Sequence, residues 1–365
     1  MSKVRSAPDP WILLSTLLIL TIGVVMVYSA SAVLAFHDFG DYGYYLKRQL
    51  VFAVLGIIAM YFTMNVDYWV WKKYAKPGLL LCFALLIIVL IPGLGVVRGG
   101  ARSWLGIGSL GIQPSEFMKL GMIVFLSKLL SDEQSGIQRF TKGLLPPLGI
   151  MGAAFGLIML QPDLGTGAVL VGASLIVIYT AGARIAHLAM LGLVGLAGFV
   201  GLIAAAPYRL QRITAFLDPW SDPLGAGYQS IQSLYAIGPG GLVGLGLGMS
   251  RQKYSYLPEP QTDFIFSIIS EELGFIGGAT VLLLFLLLVW RGMRTAITAP
   301  DTFGSLLAVG ITGMIAVQVV INIGVVIGMF PVTGITLPLI SAGGSSLTLM
   351  LTAIGVLLNI SRYSR

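Results

Sequence analysis

Long apolar runs alternate with short polar connections along most of the chain. Each run is long enough to cross a bilayer as a helix, which takes roughly 20 residues. The runs are continuous, whereas the strands of a membrane barrel alternate apolar and polar positions. We therefore predict an all-α integral membrane protein with ten transmembrane helices in one domain over residues 1–365. The ten predicted spans are 11–34, 50–65, 77–92, 114–130, 144–160, 166–182, 188–206, 264–290, 302–328 and 344–360.

Composition and charge support a membrane location. Hydrophobic residues make up 56% of the chain and charged residues 10%, against about 25% charged residues in soluble domains. Most of the 22 Lys and Arg residues fall in connections that are cytoplasmic if the N-terminus is cytoplasmic, which is the side that Lys and Arg favour. The net charge of +7 is thus a topology signal rather than a nucleic-acid footprint. The pattern predicts a multi-pass protein with both termini in the cytoplasm.

One long connection, about 207–263, separates the seventh and eighth spans and is predicted to be extracytoplasmic. It is rich in Gly and Pro, yet it keeps aromatic residues such as Trp220 and Tyr235. A disordered segment would lack them. The helical spacing of residues 224–236 predicts an amphipathic helix on the outer surface.

An acidic residue, Asp263, stands at the head of the eighth span, in the segment YLPEPQTDF (256–264). We predict that Thr262-Asp263 begins the helix, which continues as an apolar run to Trp290. An ionisable group at a membrane boundary is costly, and such a group is by default a functional site. Asp263 is therefore the first candidate for chemistry.

Other charged residues from separate segments are predicted to face the same leaflet. As substrate-binding candidates we take Arg102, Glu116, Lys119, Asp163, Arg209, Arg212, Arg251, Lys253 and Glu271. Arginines on the outer side are unexpected under the positive-inside tendency. A phosphate or pyrophosphate ligand would explain them, since the guanidinium group binds such oxygens in bidentate fashion. Contacts with lipid phosphates are the alternative.

Some of these residues have structural explanations that remain open. Glu116 and Lys119 are three residues apart on one helix face, so they form either a mutual ion pair or a polar floor for an anionic head group. Asp163 fits either a cavity or a helix cap in a tight turn. Either Glu271 or Glu272 is expected to support Asp263 or to pair with a basic residue.

The residue types that the sequence lacks limit the kinds of catalytic site it could form. The sequence has one cysteine, Cys82, and two widely separated histidines, so a zinc site is not expected. Carboxylates are then the available acids and bases, with Arg and Lys as electrostatic stabilisers. This set fits the transfer of a group away from a phosphate leaving group without a covalent intermediate. A divalent cation, Mg²⁺ or Mn²⁺, is a possible aid, with no ligand set assigned.

Several motifs together resemble those of one known family. They are RSWLG (102–106), QPSEFMK (113–119), QPDLGT (161–166), PEPQTDFIF (258–266), EELGF (271–275), PVTGITLP (331–338) and GGSS (343–346). The chain resembles the SEDS proteins, the shape, elongation, division and sporulation family that includes FtsW, RodA and SpoVE, and is most similar to the FtsW/SpoVE branch. The resemblance runs nearly end to end, and it departs from the family pattern at Ala342, where an aromatic residue is usual.

The resemblance implies a peptidoglycan glycosyltransferase of the bacterial cytoplasmic membrane. Its substrate would be lipid II, its product a β-1,4-linked glycan strand at the outer face, and its partner a class B penicillin-binding protein. Further partners would come from the division, elongation or spore-cortex machinery, and the sequence does not decide among them. Carried over by motif, Asp263 is the essential acidic residue, and Arg102, Glu116, Lys119 and Asp163 belong to the cavity.

The hypothesis is an inverting transfer in which Asp263 is the general base. Two alternatives stay open from the sequence. A lipid II flippase would use ten helices with buried charges equally well, although it needs a path to both leaflets. A non-catalytic scaffold that recruits the transpeptidase would tolerate the loss of single cavity charges.

Overall fold

The computed structural model describes residues 6–98, 101–107, 110–132, 136–204, 216–254 and 256–364. Its helices are α1 (Pro10–Phe39), α2 (Tyr44–Asn65), α3 (Trp69–Leu90), α4 (Pro114–Asp132), α5 (Leu145–Met159), α6 (Leu164–Thr180), α7 (Ile185–Ala204), α8 (Tyr228–Gly240), α9 (Ile265–Ile297), α10 (Thr302–Val326) and α11 (Gly344–Ser361). A π-helical turn, Phe140–Leu144, leads into α5.

Each predicted span overlaps one of these helices, with ends that differ by up to eight residues, and residues 205 and 206 of the seventh span lie outside the described residues. Within the described residues, seven helices are long and apolar enough to cross a membrane: α1, α2, α3, α5 with its π-helical turn, α9, α10 and α11. α6 is a shorter apolar helix of 17 residues. The chain is therefore a mostly helical protein with several membrane-spanning helices, while the count of ten spans and the orientation of the termini stay predictions.

The prediction of an all-α fold is wrong in one segment. An antiparallel sheet of strands β1 (Gly95–Arg98), β2 (Ala101–Ile107) and β3 (Leu110–Ile112) lies between α3 and α4. Gly95 pairs with Leu105, and Leu105 pairs in turn with Ile112. The segment is rich in glycine, which disfavours a helix, and its β-branched and aromatic residues suit a pleated strand.

The centre of the molecule is formed by α10 and α11, whose residues are mostly buried. α2 packs along α11, and Thr63 Oγ1 donates a hydrogen bond to the Thr352 carbonyl oxygen at 3.1 Å. Residues on the outer rows of α2, such as Ile58 and Phe62, are exposed. An apolar exterior around a packed centre is expected of a protein whose solvent is lipid.

The amphipathic helix predicted over 224–236 is found as α8. It is anchored to the start of α9 and to the end of α10, because Ser233 Oγ lies 2.8 Å from Ser267 Oγ and donates to the Val326 carbonyl oxygen at 2.7 Å. α8 thus braces the helix that follows Asp263.

The glycine-rich segment that follows α8 is hydrogen-bonded to α9 at a break in that helix. Gly274 has a φ of 65° inside the helix, a conformation that favours glycine. The break leaves the carbonyl oxygens of Glu271 and Glu272 free to accept hydrogen bonds from the backbone N–H groups of Leu245 and Gly246, both at 3.0 Å. The loop is therefore part of the packed structure and not a loose excursion.

Candidate active site

Asp263 lies in the last turn before α9. Residues on both sides of it are fixed by burial, since Leu257, Gln261 and Phe264 are almost fully covered while Asp263 is half-buried. The helix begins at Ile265, with Phe264 as its cap residue, so the prediction that Thr262-Asp263 begins the helix is wrong by two to three residues. Asp263 instead occupies irregular backbone that other segments must hold in place.

Two side chains fix the backbone around Asp263. Asn322 of α10 donates from Nδ2 to the carbonyl oxygen of Asp263 at 2.8 Å and to that of Ile335 at 2.7 Å. Ser341 donates from Oγ to the carbonyl oxygen of Thr262 at 2.6 Å. The segment before α9 is thereby joined to the connection between α10 and α11 (327–343). Asn322 thus satisfies carbonyl groups of irregular backbone rather than bonding directly to a neighbouring helix.

The carboxylate of Asp263 faces this connection. An added Cβ at Gly334 would lie 3.7 Å from Asp263 Oδ2, so the lack of a side chain at Gly334 keeps the approach open. Among the described residues, the Asp263 side chain forms no hydrogen bond or ion pair. The carboxylate is therefore available to a ligand while its backbone is constrained.

Burial, together with the negative charges of Glu259 and Asp163, raises the pKa of Asp263 to about 7. A carboxylic acid in a low-dielectric site holds its proton more tightly because the charged form loses hydration. A base with a pKa close to the working pH combines a useful ionised fraction with a strong affinity for the proton. Asp263 has the properties of a general base or acid.

Asp163 lies at the N-terminus of α6, near Asp263. Its Oδ1 accepts a hydrogen bond from the Thr166 backbone N–H at 3.0 Å, which makes it the helix cap that the sequence suggested. Its Oδ2 accepts one from Gln113 Nε2 at 2.9 Å. Asp163 therefore has a structural task, and its charge also contributes to the field at Asp263.

Glu116 and Lys119 form the mutual ion pair that the sequence left open. Lys119 Nζ lies 2.8 Å from Glu116 Oε1, and both side chains are buried. Lys119 also donates to Gln318 Oε1 at 3.0 Å, and Gln318 Nε2 donates to the Thr336 carbonyl oxygen at 3.0 Å. The pair is thus linked through α10 to the same connection that borders Asp263.

Lys253, Glu271 and Glu272 form a separate buried group. Lys253 Nζ lies 3.2 Å from Glu272 Oε1, and Glu272 also accepts a hydrogen bond from Ser29 Oγ of α1 at 2.8 Å. Of the two alternatives for these glutamates, pairing with a basic residue is the one found. Glu272 anchors the loop after α8 to α1 and α9.

Glu271 serves the same anchor. Its Oε2 accepts a hydrogen bond from Ser250 Oγ at 2.5 Å, and its Oε1 accepts one from the Arg251 backbone N–H at 2.9 Å. Lys253 and Glu271 are therefore engaged within the protein, which counts against direct contact with a substrate. The side chain of Arg251 itself is exposed.

The remaining predicted substrate-binding residues are Arg102, Arg209 and Arg212. Arg102 is half-buried on β2, with its aliphatic part against Gly95. Arg209 and Arg212 lie outside the described residues. Within the described part of the chain, no group of three or more His, Cys, Asp or Glu side chains could hold a metal ion.

Unpartnered polar atoms near Asp263 include those of two residues that the sequence did not single out, Gln261 and Thr333. Gln261 Oε1, Asn322 Oδ1 and Thr333 Oγ1 are buried and form no hydrogen bond with the described residues. Buried polar atoms normally have partners, so each exception needs an explanation. These polar groups surround the backbone that holds Asp263. The signal in the sequence was weak, because isolated polar residues near spans are usually packing contacts.

Comparison with known proteins identifies the family of the chain. A family model described as a cell cycle protein, and labelled for FtsW, RodA and SpoVE, matches residues 10–365. The chain belongs to this family. The expected membership in the SEDS family is confirmed.

The relatives cover the chain almost completely. Stage V sporulation protein E of Bacillus subtilis (strain 168) is 63% identical over 365 residues, which is 100% of both chains. A protein of Trichlorobacter lovleyi named probable peptidoglycan glycosyltransferase FtsW is 44% identical over 353 residues, 97% of this chain and 93% of the relative.

Solved structures share the fold. One chain, from a structure described as the structural coordination of polymerization and crosslinking by a peptidoglycan synthase complex, superposes with a TM-score of 0.81 at 34% identity and covers 98% of each chain. The rod shape determining protein RodA of Thermus thermophilus gives a TM-score of 0.72 at 31% identity, covering 98% of this chain and 97% of its own.

Proposed function

We propose that this chain is a peptidoglycan glycosyltransferase that polymerises lipid II at the outer face of the cytoplasmic membrane. The relatives named FtsW carry the activity in their names. The observation that carries the proposal is the Asp263 carboxylate, which has a pKa near 7, a fixed backbone and a free side chain among the described residues.

In the proposed reaction, Asp263 accepts the proton of the acceptor sugar's 4-hydroxyl group. The hydroxyl oxygen attacks the anomeric carbon of the donor, the new glycosidic bond forms, and the bond from that carbon to the pyrophosphate oxygen breaks. The configuration at the anomeric carbon inverts because the attack is direct. The lipid pyrophosphate leaves with the electron pair. General-base help of this kind contributes about 10²- to 10⁴-fold in rate.

The charge that develops on the pyrophosphate needs stabilisation, for which fixed cations are effective. Arg102 is the proposed contact, while Lys119, which is buried and paired with Glu116 at 2.8 Å, is proposed to contribute through its charge without direct contact. Asp163 raises the proton affinity of Asp263 and caps α6. Arg209, Arg212 and Arg251 remain proposed contacts for the lipid phosphate groups. No step is assigned to a divalent cation.

The proposed partner is a class B penicillin-binding protein. The structural neighbour in a complex that coordinates polymerization and crosslinking supports this pairing. The presence of ten membrane spans with both termini in the cytoplasm, which would place Asp263 and its neighbours outside, belongs to the same proposal.

Polymerisation of lipid II by the purified protein tests the function. Wild-type protein, alone or with its transpeptidase, should produce glycan strands in detergent, where no leaflets exist and a flippase would have no task. Asp263→Asn should lower the rate by at least 100-fold while expression and partner binding persist. Asp132→Asn is the matched control, because that carboxylate is exposed and pairs with Lys72 far from the site. Strand synthesis by the Asp263→Asn protein at the wild-type rate would contradict the role of the base.

A further inference from the structure

A group of aromatic rings surrounds the connection between α1 and α2. Phe36 stacks on Tyr42 with ring centroids 4.2 Å apart and planes 9° from parallel, and Phe39 stacks on Tyr44 at 3.9 Å and 14°. Tyr45 meets Tyr44 edge to face at 5.4 Å. We call these five residues the aromatic platform.

The platform presents open ring surfaces. Phe36, Phe39 and Tyr42 are 49%, 50% and 52% exposed. Since one face of each of these rings is covered by its stacking partner, about half of the ring surface stays accessible. Large apolar rings are costly to leave open to water, so such a surface indicates either a lipid interface or a ligand.

Charged and polar residues interleave with the rings. His37 lies 2.9 Å from Asp38, and Lys47 lies 2.8 Å from Asp41. The side chains of His37 and Lys47 are 85% and 72% exposed. Aromatic belts at membrane surfaces hold Trp and Tyr at the level of the lipid head groups. The exposed His37–Asp38 contact and the exposed Lys47–Asp41 ion pair favour a position at or above that level.

The platform borders the Asp263 segment. Tyr45 is one helical turn from Gln49 on the same face of α2. Gln49 Nε2 donates to the carbonyl oxygen of Ser341 at 3.2 Å, and Ser341 donates to the carbonyl oxygen of Thr262 at 2.6 Å. The charge of Glu259 acts on both Tyr45 and Asp263. One end of the platform, Tyr45, therefore lies within one helical turn of a residue that is hydrogen-bonded to the connection around Asp263.

We propose that the aromatic platform binds a carbohydrate chain, the glycan strand, and holds it beside Asp263. The C–H faces of sugar rings are flat and apolar and match open aromatic faces, while Tyr hydroxyl groups and the neighbouring Lys47, Arg48 and Asp41 can bond the sugar hydroxyls. This inference rests on the proposed function for the identity of the carbohydrate. A strand held in this way would stay near the active site between additions.

The platform can be tested by strand binding, which needs no catalysis. Full-length protein in detergent is titrated with soluble, uncrosslinked glycan strands, and binding is followed by calorimetry. Phe39→Ala and Tyr42→Ala should each weaken binding about tenfold, since stacked aromatic contacts contribute on the order of that factor. Tyr42→Phe should lose less binding than Tyr42→Ala, because it keeps the ring and removes only the hydroxyl group.

The matched controls lie at the other end of the same helix. Tyr61 and Phe62 are 66% and 67% exposed on α2, and replacing either with Ala should leave strand binding unchanged. In polymerisation assays, the platform variants should make shorter strands than these controls at equal first-addition rates.

Equal strand binding by wild-type protein and by both platform variants would overturn the inference, as would an absence of binding in the wild type. A loss of thermal stability without a loss of binding would assign the rings to the membrane interface and would also overturn it. The Asp263→Asn protein should bind strands normally. Platform-dependent binding by a wild-type protein that makes no strands would refute the proposed function and leave the platform standing.

Discussion

Asn322 donates one hydrogen bond to the carbonyl oxygen of Asp263 at 2.8 Å and another to that of Ile335 at 2.7 Å. One buried amide thus joins the acidic segment to the connection between α10 and α11. Asp263 precedes the first turn of α9, so the regular hydrogen bonds of that helix do not fix its backbone. The amide of Asn322 supplies that constraint from a neighbouring helix.

Replacing Asn322 with Leu should lower activity by at least tenfold. The substitution leaves two buried carbonyl oxygens without a donor, which costs about 1–3 kcal/mol for each group. It also frees the Asp263 backbone, so kcat should fall more than KM rises. The measurement is steady-state polymerisation together with the melting temperature in detergent.

Val320→Ala is the control for the Asn322 experiment. Val320 lies two residues away on α10 and is 59% exposed, so its loss should leave kcat and melting temperature near their wild-type values. A variant Asn322→Leu that melts earlier but turns over at the wild-type rate would contradict the positioning role.

The pKa of Asp263, about 7, predicts a pH profile for catalysis. The base must be ionised, so kcat/KM should rise with pH and level off above about 7. Initial rates between pH 5.5 and 8.5 measure this limb. The midpoint of this limb should depend on the charges near Asp263. Because Glu259 raises the pKa of Asp263, Glu259→Gln is expected to shift the midpoint to lower pH. An unshifted midpoint in Glu259→Gln would assign the titration to another group.

The same pKa predicts a stability trend of definite sign. The pKa is raised in the folded state, so between about 4 and 7 the folded protein holds a proton that the unfolded chain releases. Stability should therefore fall as the pH rises through that window and stay lower above 7. Asp263→Asn should melt above the wild type at pH 8 and approach it near pH 4. Parallel melting curves for the two proteins across this range would contradict the raised pKa.

The Lys253–Glu272 pair is expected to stabilise the fold rather than to bind substrate. Lys253→Met leaves Glu272 buried without its cation, and breaking a buried pair in this way costs about 3–5 kcal/mol. Lys253→Met combined with Glu272→Gln should recover part of the loss. Thermal unfolding in detergent measures both effects, and Lys47→Met is the control, because exposed pairs contribute about 0–1 kcal/mol. A full loss in the double variant would show that the charges themselves are needed.

The sequence predicted the helices and the exceptional position of Asp263 because both depend on local pattern. A continuous apolar run and a carboxylate at its head are visible without tertiary structure. The strands at 95–112 were missed because short, glycine-rich segments carry little periodicity. Lys253 and Glu271 were assigned to the substrate because sequence shows that charges face one side without showing which of them pair. The break at Gly274, which brings the loop after α8 back onto α9, decided their pairing.

Variants of the Glu116–Lys119 pair can separate its two explanations, which are a structural ion pair and a charge that serves the substrate. Lys119→Met alone leaves Glu116 buried and unpaired, so it should lower both the melting temperature and the activity. Adding Glu116→Gln removes the stranded charge and should restore most of the melting temperature. Activity should remain at least tenfold low, because no cation is left to stabilise the developing pyrophosphate charge from this side of the cavity. Polymerisation rates and melting curves for the two single variants and the double variant form the complete cycle. Recovery of both activity and stability in the double variant would show that the pair has only a structural role. Arg102 would then remain as the proposed stabiliser of the pyrophosphate charge.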